Sequence, residues 1–220
     1  MEDPLKKAAG ASAYAFLEAK VPTIRRILYK TDIPALSNPA IRWLDFGCGA
    51  GDFIHVMKAQ GIPWQSEGCD ISTGMLDEGR RRHPSFAQNL WEISADSFPK
   101  AKYDIITAVC VFHHIPPSAW AATVDMLKQA LKPLGQLIII EHNPWNPITR
   151  LLVKRAPIDQ NAILLSSRKT KNLLASVGLV NVASRHFLFF PPRFKFLQFL
   201  EGLFSKIPLG GQYAIRAING

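Results

Sequence analysis

Trp43-Leu44-Asp45-Phe46-Gly47-Cys48-Gly49-Ala50-Gly51-Asp52-Phe53 reads as an apolar strand that ends in an acidic residue and then turns on three glycines. Glycine accepts positive φ and carries no Cβ, so a ligand can lie against main chain that a side chain would otherwise cover. The stretch therefore predicts a binding turn between a strand and a helix. A tight turn with no ligand is the competing account.

Spacing narrows the ligand. A dinucleotide fingerprint needs glycine at the third position after Gly49, and that position is Asp52. The pattern is instead Asp-x-Gly-x-Gly-x-Gly, with Asp45 placed to reach an ammonium or a bound water. An ammonium suits S-adenosylmethionine better than a pyrophosphate. The segment resembles motif I of the class I S-adenosylmethionine-dependent methyltransferases, matching it at Asp45, Gly47, Gly49 and Gly51. That resemblance implies S-adenosyl-L-methionine as cofactor and S-adenosyl-L-homocysteine as product.

Outward from the motif, apolar clusters alternate with helical patterns, the rhythm of a doubly wound α/β sheet. Strands are predicted near Ile41 to Asp45, Gln65 to Asp70, Trp91 to Ser94, Tyr103 to Val109, Gly135 to Glu141, Val180 to Phe190 and Gln212 to Ala217. Helices are predicted near Phe53 to Gln60, Gly74 to His83, Ala119 to Leu131 and Ser167 to Val177, after an N-terminal helical stretch from about Pro4 to Tyr29. The family resemblance implies a Rossmann-like seven-stranded sheet with helices on both faces and an antiparallel last strand. A chain of 220 residues with 48% hydrophobic content can bury one core, so residues 1–220 are expected to form a single domain.

Ligands of such sheets gather at the carboxyl ends of the strands. Asp70 closes the second strand, where a carboxylate can accept both hydroxyls of a ribose; capping the next helix is its other possible use, which Ser72 can serve instead. Ile71 and Met75 offer apolar contact to a base. The resemblance places Asp96, with its neighbour Ser97, at the adenine amino group. It extends through Tyr103 to Ile115, including Cys110 at the fourth strand's end, and through the Leu131-Lys132-Pro133-Leu134-Gly135 turn. It is tightest from Ile41 to Glu141.

On the acceptor side, His113, His114, Glu141 and His142 stand at the ends of the fourth and fifth strands and are the candidates for a general base. One of the paired histidines can instead cap or bond the backbone. No third and fourth ligand follows either histidine pair at a familiar spacing, so no metal is expected. Cys48, Cys69 and Cys110 form no CxxC pair and read as packing residues.

Net charge is +9, which favours anionic partners. The segment Pro191 to Gly211 reads as an insertion over the active-site face. It carries Phe194, Leu197, Leu200, Leu203 and Ile207 on one helical stripe, widened by Phe196, Phe199 and Phe204, with Lys195, Gln198, Glu201 and Ser205 opposite. It is either a lid packed on its own domain or, through residues 193–207, a contact with a membrane interface or an apolar acceptor. No spanning segment or signal peptide is visible, which predicts a cytoplasmic protein, peripheral at a membrane if the stripe meets lipid. The expected function is methyl transfer to oxygen or nitrogen of a small acceptor, lipid-linked or anionic. The alternatives are an RNA or DNA methyltransferase, for which only positive charge speaks, and a noncatalytic cofactor-binding partner protein.

Overall fold

The computed structural model describes residues 13–28, 36–94, 97–190, 197 and 200–220. Expectations for Asp96 and for Phe194, Lys195, Phe196, Gln198 and Phe199 fall outside the described residues.

Seven strands form one sheet: β1 (Arg42–Phe46), β2 (Gln65–Asp70), β3 (Leu90–Glu92), β4 (Tyr103–Val109), β5 (Leu131–His142), β6 (Leu179–Phe187) and β7 (Gln212–Asn219). Their order is β3-β2-β1-β4-β5-β7-β6. The first five run parallel, and β7 lies antiparallel between β5 and β6. The chain winds outward from β1 to β3 and then returns to lay β4 against β1's other edge. That reversal opens a crevice at the carboxyl ends of β1 and β4, where the glycine turn sits.

The helices are α1 (Ala13–Glu18), α2 (Val21–Leu28), α3 (Asp52–Ala59), α4 (Thr73–Arg82), α5 (Trp120–Ala130), α6 (Pro147–Arg155), α7 (Ser167–Ser176) and α8 (Glu201–Phe204). Alternation along the strands divides the core into two layers. Trp43, Ile105, Ile138 and Ile140 pack with α2 and α3 on one face, and Leu44, Ile106, Leu137 and Ile139 with α5 and α7 on the other. Val21, Ile24 and Leu28 of α2 are buried in the first layer, and Tyr14 and Leu17 of α1 pack against it.

Several element boundaries differ from expectation. The N-terminal helix is broken at residues 19–20, because Pro22 cannot donate a backbone hydrogen bond and is tolerated only in a first turn. β5 begins at Leu131, four residues early, where Tyr103 pairs with Leu131 ahead of a register shift. β6 ends at Phe187 instead of Phe190. Helix α6 stands where no helix is predicted; Asn146 caps it by accepting the Thr149 amide at 2.9 Å, and Pro147 occupies its first turn. Within the described part of the 191–211 insertion, α8 is one turn long, and Leu203 is exposed, where a packed lid would have covered it.

Candidate active site

The glycine turn leaves β1 with Gly47, Gly49 and Gly51 all at positive φ, 69°, 54° and 73°. The three are not equivalent. A Cβ on Gly47 would lie 2.5 Å from a methyl of Val111, and one on Gly51 would lie 3.0 Å from the Phe86 ring. Both are required by packing as well as by conformation. Among the described residues, a Cβ on Gly49 would meet only the flexible end of Met75, at 3.3 Å. The main chain that a ligand can approach is therefore at Gly49.

Asp70 reaches this point from the end of β2. One carboxylate oxygen accepts the Gly49 amide at 2.8 Å and the other the Ser72 amide at 2.9 Å. Ser72 itself caps α4, accepting the Met75 amide, so the cap is not Asp70's task. Among the described residues each carboxylate oxygen has this one partner, which leaves it a further acceptor site beside the turn. Ile71 and Met75, 79% and 42% exposed, flank it as uncovered apolar side chains. Ser97 is exposed beyond β3.

Asp45 lies deeper than the motif suggests. It is buried in the sheet, and its carboxylate accepts the Thr107 hydroxyl at 2.6 Å, while Thr107 accepts the Trp43 indole at 2.9 Å. Burial pushes the Asp45 carboxyl up to about 7, against the lowering by Thr107. Thr107 is a site residue that the sequence did not single out.

At the neighbouring ends of β4 and β5, Glu141 organises a second group of side chains. One oxygen of this fully buried carboxylate accepts the Val111 and Phe112 amides at 2.9 and 2.7 Å; the other meets His113 Nδ1 at 2.6 Å. Cys110, at φ 58°, starts the turn that carries both histidines, and burial raises its thiol pKa. Gln212 of β7 approaches Cys110 Sγ at 3.4 Å and His142 Nδ1 at 3.5 Å.

Asp159, from the short turn Pro157–Asp159 after α6, completes the group. Its Oδ1 is 3.4 Å from Nε2 of both His113 and His114. Burial alone would lower the His113 imidazole, yet Asp159 and Glu141 on its two sides raise it to about 10. Burial lowers His114, and it lowers His142 to about 4, with charged His113 adding to both. The three histidines are thus made electrostatically unlike, where the sequence offered them as equivalent bases. Nothing in local spacing linked Asp159 to His113; the only cue was an acid following a proline in a long connection.

A family model described as "Methyltransferase domain" matches residues 20–191. The chain belongs to the S-adenosylmethionine-dependent methyltransferases. This methyltransferase is 30% identical over 129 residues to a demethylmenaquinone methyltransferase of Beutenbergia cavernae, across 57% of this chain and 52% of that one. It is 31% identical over 118 residues to a trans-aconitate 2-methyltransferase of Methylobacterium nodulans, across 53% and 44%. The chain thus spans about half the length of these curated relatives. In fold it is similar to a SAM-dependent methyltransferase from Archaeoglobus fulgidus, with TM-score 0.67, 19% identity and 97% of each chain covered.

S-adenosyl-L-methionine is the cofactor of the family, and the residues present fit it. Gly49 leaves main chain open, Asp70 offers two acceptor oxygens suited to vicinal hydroxyls, and Ile71 with Met75 provides an apolar surface for a base. His113, His114, Glu141, His142 and Asp159 gather at and beside the carboxyl ends of β4 and β5.

Proposed function

We propose that this one domain methylates oxygen or nitrogen of a small organic acceptor that combines an apolar body with an anionic or polar head. The observation that carries this reading is the convergence of His113, His114, Glu141 and Asp159 at the ends of β4 and β5, on the sheet edge that also bears the glycine turn. S-adenosylmethionine, when bound, supplies an electrophilic methyl on a sulfonium. Asp70 receives the ribose hydroxyls, Ile71 and Met75 cover the base, and Asp45 with Thr107 holds the end of β1 in place beneath them. Asp96, Ser97 and Cys110 remain proposed contacts on the grounds of family resemblance. The protein's main work is alignment of the acceptor atom with the methyl carbon, and the Glu141-centred group accommodates the proton that an acceptor hydroxyl or amine must lose.

The acceptor's apolar body is supported by the surface around α6. Trp145, Ile148, Leu151 and Ile158 are exposed there, interspersed with exposed Arg150, Lys154 and Arg155. Asn146 Nδ2 ties this region to Leu209 by donating to its carbonyl at 2.7 Å, bringing a further exposed apolar residue alongside. The pairing of the demethylmenaquinone and trans-aconitate enzymes as relatives fits an acceptor of that mixed character.

The test is methyl transfer from labelled cofactor to a panel of quinols, carboxylates and amino alcohols by wild type, Asp70→Asn and His114→Ala. Asp70→Asn should lose binding of S-adenosylhomocysteine in calorimetry. His114→Ala should retain that binding within about twofold and lose about 10²–10⁴-fold in turnover, the range typical of a positioned proton-handling group. Full turnover by His114→Ala would remove this half-exposed histidine from the acceptor side. Flotation with anionic vesicles tests the surface: binding by wild type and its loss on replacing Trp145, Ile148 and Leu151 with serine is the expected pair of results.

A further inference from the structure

We propose that His113, His114 and Asp159 form a binding site for one divalent transition-metal ion of the zinc type, beside the donor pocket. One ligand atom from each residue, an imidazole nitrogen from each histidine and a carboxylate oxygen, lies within 4.8 Å of the other two. The Asp159 oxygen is 3.4 Å from both nitrogens. Charge-assisted hydrogen bonds run shorter, at about 2.7–2.9 Å. Ligand atoms at about 2.0–2.1 Å from a tetrahedral ion are roughly 3.3–3.4 Å apart, because the edge of a tetrahedron is about 1.63 times the bond length. Both Asp159 distances match that edge.

The surroundings are those of a preformed site. Glu141 Oε2 holds His113 Nδ1 at 2.6 Å, which turns Nε2 toward Asp159, and the other Glu141 oxygen is already taken by two backbone amides. A carboxylate behind a ligating imidazole fixes its orientation and strengthens it as a donor. The Asp159 turn is anchored independently: its carbonyl accepts the Ala162 amide at 2.9 Å, and the His113 carbonyl accepts the Ile163 amide at 2.8 Å. The ligands are therefore brought together by backbone bonds, with no ion needed to assemble them.

Two imidazoles and one carboxylate favour zinc, cobalt or a similar ion over magnesium or calcium, which take oxygen ligands. Three protein ligands leave a fourth position for water or for an acceptor oxygen, which the ion would make more acidic. Who occupies that position rests on the proposed function; ion binding itself does not. His113 and Glu141 are buried, while His114, 42% exposed, leaves a side open for entry.

The experiment titrates chelator-treated full-length protein with Co²⁺, reading the visible d–d absorption of a tetrahedral site, and then displaces Co²⁺ with Zn²⁺. Wild type should bind one equivalent, and Asp159→Asn and His114→Ala, which each alter a direct ligand, should bind more weakly by at least the roughly 10–100-fold that loss of an outer-shell partner costs. Asp77→Asn, an exposed acid on α4, should bind as wild type. Absence of saturable binding, or binding undiminished in both ligand variants, would overturn the site. Circular dichroism on each variant separates loss of ligands from loss of fold. S-adenosylhomocysteine titration of the same samples separates the two readings, since cofactor binding without Co²⁺ binding rejects the metal site and leaves the methyltransferase assignment in place.

Discussion

Asp45 is a carboxylate held almost out of reach of water, and this gives its titration a thermodynamic consequence. Its pKa is about 7 in the fold, from burial first, against about 3.9 for an unperturbed aspartate. The folded chain therefore holds a proton that the unfolded chain releases between those values, so this residue's contribution to stability falls as pH rises from about 4 to 7 and is constant above. Asp45→Asn removes the titration. In urea denaturation series, wild type should lose on the order of 4 kcal/mol more than the variant between pH 4 and 8, and parallel curves would refute the assignment. The glycines make a second prediction at the same scale. Gly47→Ala adds a clash with Val111 to a left-handed backbone and should cost about 2–4 kcal/mol. Gly49→Ala faces only the movable Met75 and should cost about 1–2 kcal/mol, while weakening S-adenosylhomocysteine at least about tenfold by covering the open main chain. Equal affinity loss in both would mean that Gly49 has no special access. Asp45, Asp70 and the glycines were legible because their meaning lies in a few neighbouring residues. Asp159 was not, since its partner lies 46 positions earlier and only the winding of the sheet brings them together.

Helix α1 is joined to the glycine-turn side of the sheet by a small polar network. The Tyr14 hydroxyl donates to Asp52 at 3.0 Å and accepts from Arg82 at 2.7 Å, while His83 meets the same Asp52 carboxylate at 3.0 Å. Tyr14→Phe deletes the hydroxyl, leaving the ring edge-on to His55. Because these groups are partly exposed, the change should cost only about 0.5–1 kcal/mol, seen as roughly two- to fivefold faster amide exchange in α1 with β1 and β4 unaffected. Unchanged exchange in α1 would show that apolar packing alone docks it. The helical character of this N-terminal segment was legible in the sequence, but its division into two helices turned on one proline. Helix α6 lies where no helix is predicted, because a proline such as Pro147 ordinarily marks a connection. The overlooked cue was Asn146 before it, a capping residue followed by a proline suited to a first turn.

Across the whole molecule, cofactor binding and folding are linked, because the donor turn, β2 and α4 exist as a site only when assembled. S-adenosylhomocysteine at 100 times its dissociation constant should stabilise the protein by about 2.7 kcal/mol, a rise in melting temperature of about 5–10 °C for a chain of this size. Asp70→Asn should abolish the rise. The parallel part of the sheet was legible from its alternation of apolar runs and helices, whereas the antiparallel edge came only through family resemblance, since no local pattern says which neighbour a late strand will choose. That choice has a bearing on biosynthesis. β7 is the last strand of the sheet to be made and yet an interior one, with β5 on one side and β6 on the other. Until Gln212–Asn219 has left the ribosome, β6 has no strand to bond and β5 presents a bare edge. The nascent chain can therefore assemble β1 to β4 early, but it cannot complete the β5 side of the sheet before these residues emerge, and the interval between the two is when it is most open to pairing with a stranger.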